Sequence, residues 1–161
     1  MKLYYFILTF LLFVNLPAQT KINFSISTIN NKKTELDKLY SKGPVLVSFW
    51  ALWCEPCKEE MRHLNQIYKR YKDRGFTILG INQDSPKSVS KVRAYVASHN
   101  IDFPIALDPD FQYLQKMNGQ SIPYSILFDT SGNIVYKNVG YLPGDEIKLE
   151  AKIMKLITGV K

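Results

Sequence analysis

Cysteine is scarce in this 161-residue chain, with 2 residues against 8 glycines and 8 prolines. A fold stapled by several disulfides is therefore excluded. Histidine is equally rare, also 2, so a zinc site built on the cysteines would have to recruit both His63 and His99. No block of like charge occurs. The 21 Lys and Arg are scattered, and the formal net charge of +7 lacks the clustered basic footprint of a nucleic-acid binder. No apolar run reaches the roughly 20 residues that span a bilayer; the stretch from Leu3 to Leu16 is shorter and is interrupted by Thr9 and Asn15. Repeats, low-complexity segments and internal linkers are absent as well. What remains is 46% hydrophobic and 22% charged. That excludes disorder, and at this length it fits one domain that buries roughly two-thirds of its unfolded surface.

The N-terminus has its own grammar. Lys2 supplies a positive start, the apolar stretch follows, and Pro17-Ala18 precedes the polar residues Gln19, Thr20 and Lys21. That order describes a secretory signal with cleavage after Ala18, although Leu16 is larger than the ideal residue three positions before a cut. An uncleaved anchor is the alternative, and only it would put the protein on a membrane. No cysteine follows the apolar run, which excludes a lipoprotein anchor at that point. Residues 1–18 are thus expected to be a signal segment and residues 19–161 one exported domain, periplasmic or otherwise extracytoplasmic.

Within that domain, Ile22 to Ile29 alternates partly and ends at the turn signal Asn30-Asn31. Thr34 to Tyr40 reads as a short helix capped by Thr34, and Gly43-Pro44 breaks it. Val45 to Trp50 is a nearly continuous apolar run, the mark of a strand buried on both faces. Pro56 to Lys72 has helical spacing and is ended by Gly75. Phe76 to Ile81 forms a second buried strand. Ser85-Pro86 opens a helix to about Ser98, with Ser85 as its cap. Phe103 to Leu107 is a short strand and Asp110 to Met117 a helix. Tyr124 to Phe128 and Ile134 to Asn138 are strands around the loop Asp129 to Asn133. Asp145 to Ile157 closes the chain as a helix, with its acids early and its lysines late, as the helix dipole favours. This order predicts an α/β fold, a mixed central sheet with helices on both faces.

Both cysteines fall in Trp53-Cys54-Glu55-Pro56-Cys57, between a buried strand and a helix. Cys54 would sit at the helix N-cap, where unpaired N–H groups and the macrodipole favour a thiolate. Cys57, one turn in, is placed to attack a mixed disulfide on Cys54. Pro56 suits the first turn because its missing N–H is not needed there. A redox pair is the leading reading. A structural bridge would close too short a loop to constrain the unfolded chain much, and a metal site would need the two histidines. His63 falls on the helix face of Glu59 and Gln66, toward solvent, and His99 at a helix C-terminus.

Two further residues carry chemical information. Cys57, Met61, Leu64, Ile67, Tyr68 and Tyr71 form one helical stripe, and Glu60 belongs to it. A carboxyl on an apolar face is expected to hold its proton more tightly than usual, which suits it to take the Cys57 proton. Alternatively, Glu60 merely rims a helix start, where acids are favoured. Pro123 precedes the strand Tyr124 to Phe128. It is either a boundary marker or a cis proline that frees the Ile122 backbone for an extended substrate chain.

Val45-Leu-Val-Ser-Phe-Trp-Ala-Leu-Trp-Cys-Glu-Pro-Cys57 resembles the active-site strand and loop of the thioredoxin superfamily. The Cys-Glu-Pro-Cys form, Glu60 and the export signal resemble its TlpA/ResA/CcmG-like branch. Phe103 to Asp108 is similar to the end of that branch's inserted helix-strand unit, Ser121 to Asp129 to its cis-proline strand, and Gly132 to Gly140 to its last hairpin. The likeness covers about residues 22–158. It implies a thioredoxin-like fold with an N-terminal β extension, and catalytic roles for Cys54 (nucleophile), Cys57 (resolving thiol), Glu60 and the cis proline Pro123. Trp53, Glu55, Pro56 and Ile122 would dock the substrate. The implied cofactor is none beyond the Cys54–Cys57 disulfide, with no metal. The implied partners are substrate protein disulfides, including apocytochrome c, and a membrane electron donor of CcdA/DsbD type. Departures exist: Ser48 occupies the place of thioredoxin's buried Asp, and Ile122 is a bulky residue before the proline. A peroxidase of this fold would carry Pro and Thr where this chain has Val47 and Ala51. Copper chaperones of the superfamily use CxxxC where this chain has CxxC. Glu55 beside Cys54 opposes a thiolate and leans the pair toward reduction over oxidation.

Overall fold

The structure is a computed structural model that describes residues 21–159; the expected signal segment, residues 1–18, lies outside them. The chain runs β1 (Ser25–Ser27), β2 (Lys33–Glu35), α1 (Leu36–Tyr40), β3 (Val45–Trp50), α2 (Glu55–Tyr71) and β4 (Thr77–Asn82). It continues through α3 (Val89–Ser98), β5 (Ile105–Leu107), α4 (Gln112–Lys116), β6 (Tyr124–Phe128), β7 (Ile134–Val139) and α5 (Asp145–Thr158).

Five strands form the central sheet in the order β5-β4-β3-β6-β7. β4 runs parallel to β3 and β5 parallel to β4, whereas β6 and β7 are antiparallel to their neighbours. β3 lies in the middle, and all six of its residues are buried. Strand alternation divides them between two cores. Leu46 and Trp50 join Met61, Leu64 and Ile67 of α2, Val92 of α3, and Leu149 and Ile153 of α5. Val45, Val47 and Phe49 join Leu36 and Tyr40 of α1, Leu114 of α4 and the N-terminal Phe24 and Ile26. Helices therefore cover both faces, as the apolar runs predicted. The chain is an α/β thioredoxin-like fold, with β1 and β2 as a separate antiparallel extension.

Three local expectations are corrected. Thr34 does not cap a helix: it lies in β2 opposite Ile26, and the helix starts at Leu36 without a side-chain cap. The Asn30-Asn31 turn, with Asn31 at φ 59°, folds the chain back, so Lys33–Glu35 is drawn into strand pairing before the helix begins. Ser85-Pro86 opens a 3-10 turn, Pro86–Ser88, and the Ser85 side chain makes no capping bond; the α-helix itself begins at Val89. The fourth helix is shorter than its sequence pattern because Phe111 takes a left-handed conformation, φ 59°. Asp108 then accepts the first free N–H groups, from Tyr113 and Leu114, at 3.0 and 3.1 Å.

Candidate active site

β3 delivers the chain to the C-terminal end of the parallel strands, where it turns through Ala51 to Trp53 into α2. Cys54 is the N-cap of α2, in an extended conformation, and Pro56 sits in the first turn. Cys54 and Cys57 form a disulfide with a Cα–Cα distance of 5.2 Å. Cys57 is fully buried, while Cys54 retains 7% exposure. The Cys57 N–H donates to the Cys54 Sγ at 3.3 Å. Cys54 is the more accessible of the two, and the helix N-terminus already offers its sulfur a donor.

The loop before Cys54 is held by a residue that the sequence pattern does not single out. Buried Asp84 accepts the Leu52 N–H at 2.8 Å and the Asn82 side-chain amide at 2.8 Å. The Asp84 N–H donates in turn to the Asn82 Oδ1 at 3.0 Å. A backbone N–H two residues from the disulfide is thus satisfied by a carboxylate from the end of β4. The signal was present: Asn82-Gln-Asp84 leaves the C-terminal end of a parallel strand beside β3, the usual location of functional loops in such sheets.

Glu60 is not a helix-rim residue. It is 4% exposed and rests against the sheet, where Ser125 Oγ donates to its Oε1 at 2.8 Å and Ser48 Oγ to its Oε2 at 3.2 Å. Ser48 and Ser125 are register partners on β3 and β6, so the two hydroxyls form one polar spot in an otherwise apolar sheet face. Burial pushes the Glu60 carboxyl up to about 7, against the opposing pull of the two serine hydrogen bonds. The charge of Asp145 adds to the rise. Ser125 was missed from sequence, although a lone Ser in the apolar run Tyr-Ser-Ile-Leu-Phe is the kind of polar intrusion that needs a partner.

The remaining sequence candidates lie around this center. The Ile122–Pro123 peptide bond is cis. Ile122 is half-buried and packs against the core cluster that contains both cysteines. Trp53 is 64% exposed, and Glu55 and Pro56 are exposed on the first turn of α2. Glu55 is paired with Lys58, which offsets part of the repulsion it would exert on a Cys54 thiolate. An open groove of about 630 Å³ runs beside the first turns of α2, lined by Glu55, Pro56, Glu59, Tyr95, His99 and Tyr141 among others. His63 does not point simply into solvent: it is half-buried and stacks on Tyr141 with ring centroids 6.0 Å apart. His99 is exposed at the end of α3, as expected, and stacks on Tyr95 at 4.0 Å. Among the described residues, no three His, Cys, Asp or Glu side chains are grouped to hold a metal ion.

Comparison with known proteins finds relatives of this fold. The AhpC/TSA family profile matches residues 17–137. A thiol-disulfide oxidoreductase ResA of Bacillus cereus is 33% identical over 118 residues, 73% of this chain; that stretch spans 66% of the relative's length, just under two thirds. ResA of Halalkalibacterium halodurans is 30% identical over 123 residues, 76% of this chain and 68% of the relative. Among solved structures, a thiol:disulfide interchange protein DsbE from Chlorobium tepidum superimposes with a TM-score of 0.77 at 26% identity, covering 85% of this chain and 94% of that one.

Proposed function

Because the chain belongs to the AhpC/TSA family and to its ResA-like branch, we propose that it is an exported thiol–disulfide oxidoreductase that reduces disulfides of extracytoplasmic proteins. The observation that carries this reading is a disulfide at the N-terminus of α2 in which Cys54 keeps a small exposure and Cys57 has none, with a carboxyl buried one helical turn beyond. In the reduced protein, the Cys54 thiolate attacks a substrate disulfide and forms a mixed disulfide, releasing one substrate thiolate. The Cys57 thiol gives its proton to Glu60, and its sulfur attacks Cys54. The second substrate sulfur leaves as a thiolate and takes its proton from water, and the Cys54–Cys57 disulfide remains. Two electrons have passed from the pair to the substrate. A carboxyl near pH 7 is well matched to taking and returning that one proton.

Trp53, Glu55, Pro56 and Ile122 serve as the docking rim, and the cis Pro123 turns the start of β6 toward the substrate. Apocytochrome c, whose cysteines must be reduced for haem attachment, is the proposed client, and a membrane protein of CcdA/DsbD type the proposed donor. Peroxide reduction is not proposed, because Val47 and Ala51 stand where a peroxidase of this fold has Pro and Thr. No described helix is long and apolar enough to cross a membrane.

The test is the reduction potential of the Cys54–Cys57 couple, by equilibration in thiol buffers. Buried Trp50, in the same core as both cysteines, and exposed Trp53 report the change by fluorescence. A value near about −270 mV, like thioredoxin, supports a reductase. A value near about −120 mV would make the protein an oxidant and overturn the proposed direction.

A further inference from the structure

A carboxyl that exchanges a proton on every turnover needs a route to water, and Glu60 has no direct one. Its two oxygens face the hydroxyls of Ser48 and Ser125 on the sheet side, and Cys57 precedes it in the helix. On its remaining side lies a small, partly open cavity of about 10 Å³, lined by Glu60, Tyr136, Asn138, Tyr141, Asp145 and Glu146, with Leu64 and Leu149 as apolar walls. That is close to the space one water molecule occupies, and the lining supplies the several polar partners a buried water requires. A carboxylate has about four acceptor positions, and the two serines use only one on each oxygen.

The groups facing this cavity come from β7 (Tyr136 and Asn138), from the following loop (Tyr141) and from the first turn of α5 (Asp145 and Glu146). Both tyrosines hold their protons more tightly than usual, mainly through burial. Both acids on α5 are shifted the other way and carry their charge. Asp145 is held down first by the Leu142 N–H and then by Lys148, and Glu146 first by the Tyr141 hydroxyl. Glu146 accepts from Tyr141 Oη at 2.7 Å and from the Gly144 N–H at 2.9 Å, both on its Oε2. The Asn138 amide nitrogen donates to the Gly140 carbonyl at 2.9 Å, its side chain also bonds the Asp145 carboxylate, and its oxygen is an acceptor. Asp145 pairs with Lys148 at 3.2 Å, a lysine that is 74% exposed, so it bridges the cavity and the surface.

We propose that Asn138 and Asp145 form the proton exit of Glu60, relaying its proton to solvent through one water in this cavity, at the junction of β7 and α5. The proposal builds on Glu60 as the proton carrier, and Asn138 and Asp145 act through it as positioning residues.

Two measurements test it. The Glu60 carboxyl is followed by carbon-13 NMR across pH in the oxidised protein, with Glu60→Gln identifying the resonance. Asp145→Asn, which keeps the oxygen that accepts the Leu142 N–H, should move the Glu60 midpoint acidward by a few tenths of a pH unit, because the charge that opposes ionisation is removed. An unmoved midpoint overturns the proposal. In single-turnover experiments, Asn138→Leu should slow the resolution step severalfold and enlarge its solvent isotope effect. Asn138→Ser, which keeps a polar group and leaves room for water, should restore most of the rate. A resolution rate unaffected by Asn138→Leu, or equally impaired in both variants, also overturns it. The NMR arm does not depend on turnover: if Glu60→Gln leaves turnover and its pH profile unchanged, the proton-carrier reading fails while the midpoint shift is still measured.

Discussion

Replacing Glu60 by Gln should make the oxidised protein more stable at pH 8 and leave its stability little changed at pH 4, and the size of that difference can be worked out. The carboxyl rises from an ordinary 4.5 to about 7 in the folded protein. At roughly 1.4 kcal/mol per pH unit, this corresponds to about 3 kcal/mol between the two protonation states. The sign follows from proton counting: between these values the folded state holds the proton and the unfolded state has lost it, so stability falls as pH rises. The contribution is fully present below about 4.5, fades up to about 7, and is absent above. Asp145 and Glu146 are shifted in the opposite direction and act at lower pH, and subtracting the variant from the parent cancels them. Gln keeps the shape: its amide oxygen can accept from Ser125 Oγ, and its NH2 can donate to Ser48 Oγ, which turns to accept. Urea unfolding of both proteins at a series of pH values from 4 to 8, with the disulfide intact, reads the difference directly. A difference independent of pH would mean that the buried carboxyl is not held neutral, and the physical account of Glu60 would fail with it.

Other outcomes follow from the same geometry. Ser125→Ala removes the shorter of the two hydrogen bonds that favour the Glu60 carboxylate, so the pH midpoint of the resolution step should move alkaline; an acid shift would contradict the arrangement. Cys57→Ser removes the thiol that attacks Cys54 and expels the substrate sulfur, so a mixed disulfide with a model substrate should accumulate on non-reducing gels. Cys54→Ser should yield none. Gly43→Ala would drive a Cβ into the Gly75 carbonyl oxygen, a clash with backbone that cannot rotate away. It should cost at least about 1–3 kcal/mol, visible as a drop in the thermal midpoint, whereas a neutral outcome would show that the loop between α1 and β3 packs differently from this structure.

Much of the molecule was readable from local pattern. The apolar run Val45 to Trp50 identified the central strand because only a strand covered on both faces is apolar at every position. The stripe from Cys57 to Tyr71 identified the helix beside it, and within that stripe the conspicuous acid was Glu60. The ends of the smaller elements were less readable. Thr34 looks like a cap, and it pairs in a strand because the turn at Asn30-Asn31 brings Ile26 opposite it, a contact that helix-capping preference does not register.

The chemistry of the site divides in the same way. Residue type and spacing along one segment sufficed to place a thiol pair at a strand-to-helix junction and an acid one turn further on, since helix geometry relates neighbours in sequence without help from the rest of the chain. What that acid is bonded to was a tertiary matter. Ser48 and Ser125 become partners only when β3 and β6 align in register. Asp84 reaches Leu52 across 32 positions of sequence, and the cavity beside Glu60 is assembled from α2, β7 and α5. A sequence specifies which side chains exist and which share a helical face. The burial that sets the proton affinity of Glu60, and the groups that face it, are properties of how distant segments pack.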